Sequence, residues 1–185
     1  LRFPRVSPDS RADRIAYARL GLMQTPVGPK ETTFTYSNTG YVVVGAMLET
    51  KMGAPWEALI QEHVFNPLGM ASAGHGPPGN VDAIDQPWGH APGADGQMIA
   101  YPPNGPNSDN PAALGPAGRV HANFEDVFKY LRAHCEQSNF LSRESWQTLH
   151  TPPYGGPYAM GLSRQGNALW HNGSNTLWYA EVMFD

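Results

Sequence analysis

The sequence predicts an α/β fold in the layered α+β sense, with helices and strands kept apart along the chain. Three observations predict it: an apolar period of three and four residues near position 40, strand-like pieces confined to 158–185, and no internal repeat anywhere in the 185 residues. With 41% apolar residues, a chain of this length can bury roughly 70% of the surface that its unfolded form exposes, so one core is expected.

Residues 1–70 read as mostly helical. In "NTGYVVVGAMLETKMG" Tyr41, Val44, Met47, Leu48 and Met52 recur at helical spacing, and Gly53 stands at the C-cap. A shorter helix, "APWEALIQEHVF", stops at "NPLGM", where Pro67 and Gly69 make a turn. Residues 71–118 lose all periodicity, and ten of the eighteen prolines fall between 66 and 118. Such a stretch is either a disordered linker or an ordered excursion over one body. The apolar Trp88, Ile99, Tyr101 and Leu114 favour the excursion, since linkers lack such anchors.

Helices return over 119–151. Asn123 is placed to N-cap one of them, with Glu125 and Asp126 in its first turn and Phe124, Val127, Phe128 and Leu131 as its buried stripe. "LSRESWQTLH" reads as another, capped by Ser142. The strand-like pieces follow in 158–185: "YAMGLSR", "ALWHN" and "LWYAEVMFD".

A net charge of −4 without a block of like charges lacks the electrostatic footprint of a nucleic-acid or anionic-membrane binder, so a small organic substrate or a protein partner is expected. Cys135 is the single cysteine, which excludes an intrachain disulfide. No run of about 18 apolar residues is present, and "LRFPRVSPDS" lacks the apolar segment of a signal peptide. The seven histidines show neither H-E-x-x-H nor a cysteine pair beside them, and no G-x-G-x-x-G or P-loop occurs, so neither metal nor cofactor is expected. His63, His134 and His150 fall in predicted helices as surface or half-buried residues; His75 and His90 lie in the loop.

Two short motifs carry the functional argument. In "TFTYSNTGY", Tyr36 and Asn38 stand at the mouth of the first apolar run. Their structural reading is that Asn38 caps the helix while Tyr36 packs its ring with a wet hydroxyl. In "LWHNGSN", His171 and Gly173 close a strand at the edge of a sheet, where Asn-Gly is also an ordinary turn signal.

Taken jointly and in this order, the motifs resemble the second and third signature elements of the serine penicillin-recognising enzymes, which include class C β-lactamases, D-Ala-D-Ala carboxypeptidases and β-lactamase-like esterases. That superfamily carries S-x-x-K, then Y-x-N, then K-T-G or H-x-G. Here Tyr36-Ser37-Asn38 is the only Y-x-N and His171-Asn172-Gly173 the only H-x-G. "NPLGM" at 66–70 and "GPAGRV" at 115–120 also look like the family. Ser108-Asp109-Asn110 spells the S-D-N of class A enzymes, but no K-T-G accompanies it and turn chemistry accounts for it.

The resemblance implies a β-lactamase/DD-peptidase-like fold, represented by a single partial domain over 1–185: a helical region plus part of an antiparallel sheet, incomplete at both ends. The S-x-x-K element is missing, because Lys30, Lys51 and Lys129 follow Val27, Leu48 and Asp126 by three residues. A further segment of the same protein is therefore expected to supply the nucleophilic serine and its lysine. A truncated pseudoenzyme would leave an open sheet edge and an uncovered apolar face. A periplasmic or secreted location is what the family suggests.

By the same resemblance, the activity is serine hydrolysis of an ester, amide or lactam through an acyl-enzyme. Tyr36 would take the serine proton, although an ordinary phenol titrates near pH 10 and needs positive charge nearby. Asn38 would face the lysine and the substrate amide. His171 would stand where many relatives have lysine, carrying full charge only below its reference value of about 6.5, which favours esterase or D-amino-acid peptidase over efficient β-lactamase. The Ser174 backbone N–H would be one oxyanion donor. Asn172, Gly173 and Asn175 are the substrate-binding candidates, and Trp88, Tyr101, Trp170 and Trp178 are candidates to shape an acyl pocket. The alternative is a non-catalytic relative that binds a peptide or cell-wall fragment in the same cleft.

Overall fold

The computed structural model describes residues 3–4, 7–105 and 107–185, so four residues of the predicted helical region and one loop proline lie outside the described residues. Three helices come first: α1 (Ser10–Leu22), α2 (Asn38–Met52) and α3 (Trp56–Ile60), the last running on into a π-turn over Gln61–Phe65. The proline-rich region holds β1 (Gly74–His75), the hairpin of β2 (Gly89–Pro92) and β3 (Met98–Tyr101), and the short helix α4 (Gly115–Gly118). After β4 (Val120–His121), which pairs with β1, come α5 (Phe124–Cys135) and α6 (Arg143–His150). A three-stranded antiparallel sheet closes the chain, ordered β5 (Ser163–Gln165), β6 (Ala168–Ser174) and β7 (Tyr179–Phe184).

Helix α2 starts one residue earlier than the capping argument placed it. The Ser37 hydroxyl accepts the Gly40 N–H at 3.0 Å, so Ser37 is the cap and the Asn38 side chain is released from that task. At the other end Gly53 adopts φ +74 and donates to the Glu49 carbonyl, a left-handed C-cap suited to glycine.

The apolar stripe of α2 faces outward. Tyr41, Val44, Met47, Leu48 and Met52 are exposed, whereas Val42, Gly45, Ala46 and Glu49 are buried. Close approach decides this orientation. A Cβ on Gly45 would lie 2.4 Å from Pro116 Cγ, so only the small-residue side of α2 admits α4. Arg14 of α1 enters the same side, pairs with the equally buried Glu49, and reaches Glu57 as well.

Helix α5 is turned in a similar way, contrary to its apolar pattern. Phe124 and Phe128 are 83% and 64% exposed, while Asp126, Ala133 and His134 face inward. Asp126 fixes the rotation: it accepts from the Ser72 N–H and hydroxyl, both at 2.6 Å, and from Lys129 Nζ at 2.7 Å. Those donors, Lys129 first, hold its carboxyl down at about 2. His134, expected near the surface, is buried against Trp146 and Phe184.

The described residues of the proline-rich region contain the β2–β3 hairpin, whose four-residue strands are too short to show a period. It docks on the C-terminal sheet, since the His90 N–H donates to the Leu177 carbonyl at 3.0 Å. "YAMGLSR" is mostly a turn. Ala159 N–H donates to the Leu162 carbonyl around Gly161 at φ +92, and only Ser163 begins a strand.

Candidate active site

Two aromatic contacts join the two motifs through Tyr158, a residue that no motif marks. Tyr36, half exposed just ahead of α2, stands edge-on to the Tyr158 ring at 5.8 Å between centroids and 88° between planes. Tyr158 also meets His171 of β6, with 6.4 Å between ring centroids and its hydroxyl oxygen 3.4 Å from His171 Nδ1. Phe34 stacks on Tyr158 at 4.3 Å and 16°. A buried phenol therefore stands between the Y-x-N and H-x-G motifs, which are 133 positions apart when Asn38 is set against His171.

Burial first, then the neighbouring Tyr41 and Tyr36 phenols, pushes the Tyr158 hydroxyl well above its ordinary value, so it keeps its proton at neutral pH. Burial pushes His171 down, and its imidazole is therefore neutral there. Nε2 of His171 has no hydrogen-bond partner among the described residues.

The backbone at the H-x-G motif is accessible. Strand β5 pairs only with Ala168–Trp170, so along His171–Ser174 the edge of β6 opposite β7 meets no strand among the described residues. A Cβ built on Gly173 would meet nothing within 4 Å. An unpaired edge with open space beside it can take an extended substrate backbone.

The remaining candidates divide by strand alternation. His171 and Gly173 share one face of β6, and Asn172 and Ser174 the other. Asn172 donates to the Tyr179 hydroxyl at 3.2 Å, away from Tyr158. The Ser174 hydroxyl donates to the Trp178 carbonyl and accepts the Thr176 N–H, binding it into the hairpin turn. Asn175 is taken up by the fold: its Oδ1 accepts from the Leu177 and Trp178 N–H groups, and its Nδ2 donates to Asp109 at 2.8 Å. Asn38, the first residue of α2, is exposed, and its side chain makes no hydrogen bond among the described residues.

The S-D-N tripeptide is structural. The Ser108 hydroxyl is buried and donates toward the carbonyls of Pro103 and Gly105. Asp109 accepts from the Asn110 N–H and pairs with Arg119 at 3.2 Å. Of the aromatic pocket candidates, Trp178 lies against Gly89 and points its Nε1 at the Pro87 carbonyl, joining the loop to the sheet. His75 packs on Trp56 and Phe65, and His90 is exposed with Nδ1 on the Trp88 carbonyl. Among the described residues no group of three His, Cys, Asp or Glu side chains is placed to hold a metal ion, and no helix is long and apolar enough to cross a membrane.

Sequence reasoning missed Tyr158. The available signal was the aromatic pair Phe34 and Tyr36 at alternate positions, whose rings can pack on an aromatic ring from another segment.

Comparison with known proteins gives a consistent result. A family model described as Beta-lactamase matches residues 8–182. Penicillin-binding protein 4 of Amycolatopsis lactamdurans is 28% identical over 109 residues, covering 58% of this chain and 27% of that protein. A penicillin-binding protein from Bacillus halodurans superposes with a TM-score of 0.75 at 19% identity, over 98% of this chain and 56% of its own. The octameric penicillin-binding protein homologue from Pyrococcus abyssi does so with 0.71 at 22%, over 97% and 42%. D-amino acid amidase from Ochrobactrum anthropi SV3 gives 0.62 at 19%, over 97% and 58%. The chain thus spans about a quarter of the first relative and about half of these solved structures.

Proposed function

The chain belongs to the β-lactamase family of the serine hydrolase superfamily, and from that premise we propose that it forms the base and substrate-strand side of an acyl-transfer site. The observation that carries the reading is the contact of both Tyr36 and His171 with Tyr158.

In this reading a serine from another segment of the protein attacks the carbonyl carbon of an ester, amide or lactam. Tyr36 takes the hydroxyl proton as the bond forms and passes it to the leaving group as the acyl bond breaks; water then releases the acyl group. Asn38, free of the capping role, offers its amide to the lysine partner and the substrate amide. The Ser174 N–H is one oxyanion donor, a contribution of about 3–4 kcal/mol. The open edge of β6 carries the substrate backbone beside Gly173, with His171 donating a hydrogen bond to it. Asn175 acts indirectly by shaping the hairpin that presents Ser174.

The segment bearing the serine and lysine is the natural cover for the outward apolar stripes of α2 and α5. A neutral imidazole in place of an ammonium weakens recognition of anionic substrates, which favours esters and D-amino-acid amides or peptides over efficient lactam turnover. The test is labelling of the full-length protein with a fluorophosphonate or a fluorescent penicillin. Labelling is expected, and Tyr36→Phe should slow it strongly; equal rates for the two would remove Tyr36 from the chemistry.

A further inference from the structure

The Tyr158 hydroxyl has a single hydrogen-bond partner among the described residues, Nδ1 of His171 at 3.4 Å. Tyr158 is 8% exposed, so its O–H calls for a hydrogen-bond acceptor, and Nδ1 of His171 is the acceptor that the described residues place beside it. If Nδ1 carried the imidazole proton, it would donate to the phenol oxygen, and the phenol's own proton would face no acceptor. With the imidazole proton on Nε2, the phenol donates to the bare Nδ1 and both groups are satisfied. The nitrogen left without a partner in the fold is then the one that bears hydrogen.

Resting on the hydrolase reading of this site, we propose that Tyr158 is a positioning residue that holds His171 as the neutral imidazole protonated on Nε2, presenting one fixed donor to the substrate. The same side chain sets the lateral position of Tyr36 through ring contact alone. One residue therefore places both candidate catalytic groups by separable means, hydroxyl for His171 and ring for Tyr36. The separation makes Tyr158→Phe informative, because phenylalanine retains the stacking on Phe34 and the edge contact with Tyr36 while deleting the hydrogen bond.

Histidine-labelled full-length protein is compared with its Tyr158→Phe variant by long-range nitrogen–proton NMR correlation near neutral pH. The His171 signals of the wild type should show the Nε2–H tautomer, and those of Tyr158→Phe a mixture. Probe labelling by the variant should slow by roughly tenfold, the scale of one net hydrogen bond. A wild-type Nδ1–H tautomer, or identical tautomer patterns in the two proteins, overturns the proposal. The NMR readout needs no turnover, so a well-folded protein that no acyl probe labels refutes the hydrolase reading separately from the tautomer assignment.

Discussion

Asn175 donates to Asp109 Oδ1 across 2.8 Å, tying the turn after β6 to a proline-rich loop 66 positions earlier. Asp109 also pairs with Arg119, and both acidic and basic side chains are largely buried. Its loss removes an acceptor from Asn175 and a counter-charge from Arg119. Asp109→Ala should lower stability by roughly 1–3 kcal/mol in urea unfolding, the range for leaving a buried donor unsatisfied. Asp109→Asn keeps an acceptor for Asn175 and should cost less. Because Ser174 adjoins Asn175, the alanine variant should also slow probe labelling in protein that remains folded.

The Arg14–Glu49–Glu57 cluster makes a second expectation. Arg14 and Glu49 are fully buried, and Glu49 also accepts the Trp56 N–H at 2.8 Å. Arg14→Met leaves a buried carboxylate without its cation, a loss of roughly 3–5 kcal/mol. Adding Glu49→Gln removes the stranded charge while keeping an acceptor for Trp56, so the double variant should be more stable than Arg14→Met alone. A double-mutant cycle on unfolding free energies measures the coupling, and strict additivity would refute it.

Two of the depressed groups, His134 and Asp126, make distinct contributions to the pH dependence of stability. His134, held at about 4 by burial and then by the adjacent His150, stays neutral when folded, whereas the unfolded chain takes up a proton near the ordinary 6.5. Its contribution is therefore complete above 6.5 and is lost as the pH falls toward 4. Asp126, held at about 2, contributes fully above its ordinary 3.8 and loses that contribution as the pH falls toward 2. Urea midpoints should fall in these two windows. His134→Leu should reduce the slope in the upper window, where His75, His150 and His171 also contribute, and Asp126→Asn the slope in the lower one; unchanged profiles would refute the assignments.

These same residues show where sequence reasoning succeeded and where it stopped. Caps at Asn123 and Ser142 and the glycine stop at Gly53 were legible because each rests on contacts within one turn. The inward faces of α2 and α5 were not, because an apolar stripe identifies a helix but not what covers it. Here Gly45 under Pro116 and Asp126 under Ser72 decided the rotation, and both depend on segments distant in sequence. The site was half legible for the same reason. Y-x-N and H-x-G are local patterns, whereas Tyr158 meets them only through rings that the fold brings beside it.

Replacing His171 with lysine tests how the site treats charge. Burial depresses the imidazole below its ordinary 6.5, so the wild type presents a full positive charge only in more acidic solution. Lysine, with a reference pKa of about 10.4, remains charged throughout the neutral range. In the full-length protein, the ratio of kcat/KM for a carboxylate-bearing penicillin to that for a neutral ester isolates this difference, because changes in the nucleophile and in Tyr36 affect both substrates. For the wild type the ratio should climb only as the pH falls below the ordinary imidazole value of 6.5, because burial moves protonation to the acidic side of it. For His171→Lys it should be higher at neutral pH and nearly flat across the same range. An ammonium at this position can donate to the Tyr158 oxygen but cannot accept its proton, so the substitution reverses the direction of the local hydrogen bond. A wild-type ratio that does not change with pH would mean that His171 does not meet the substrate's charge.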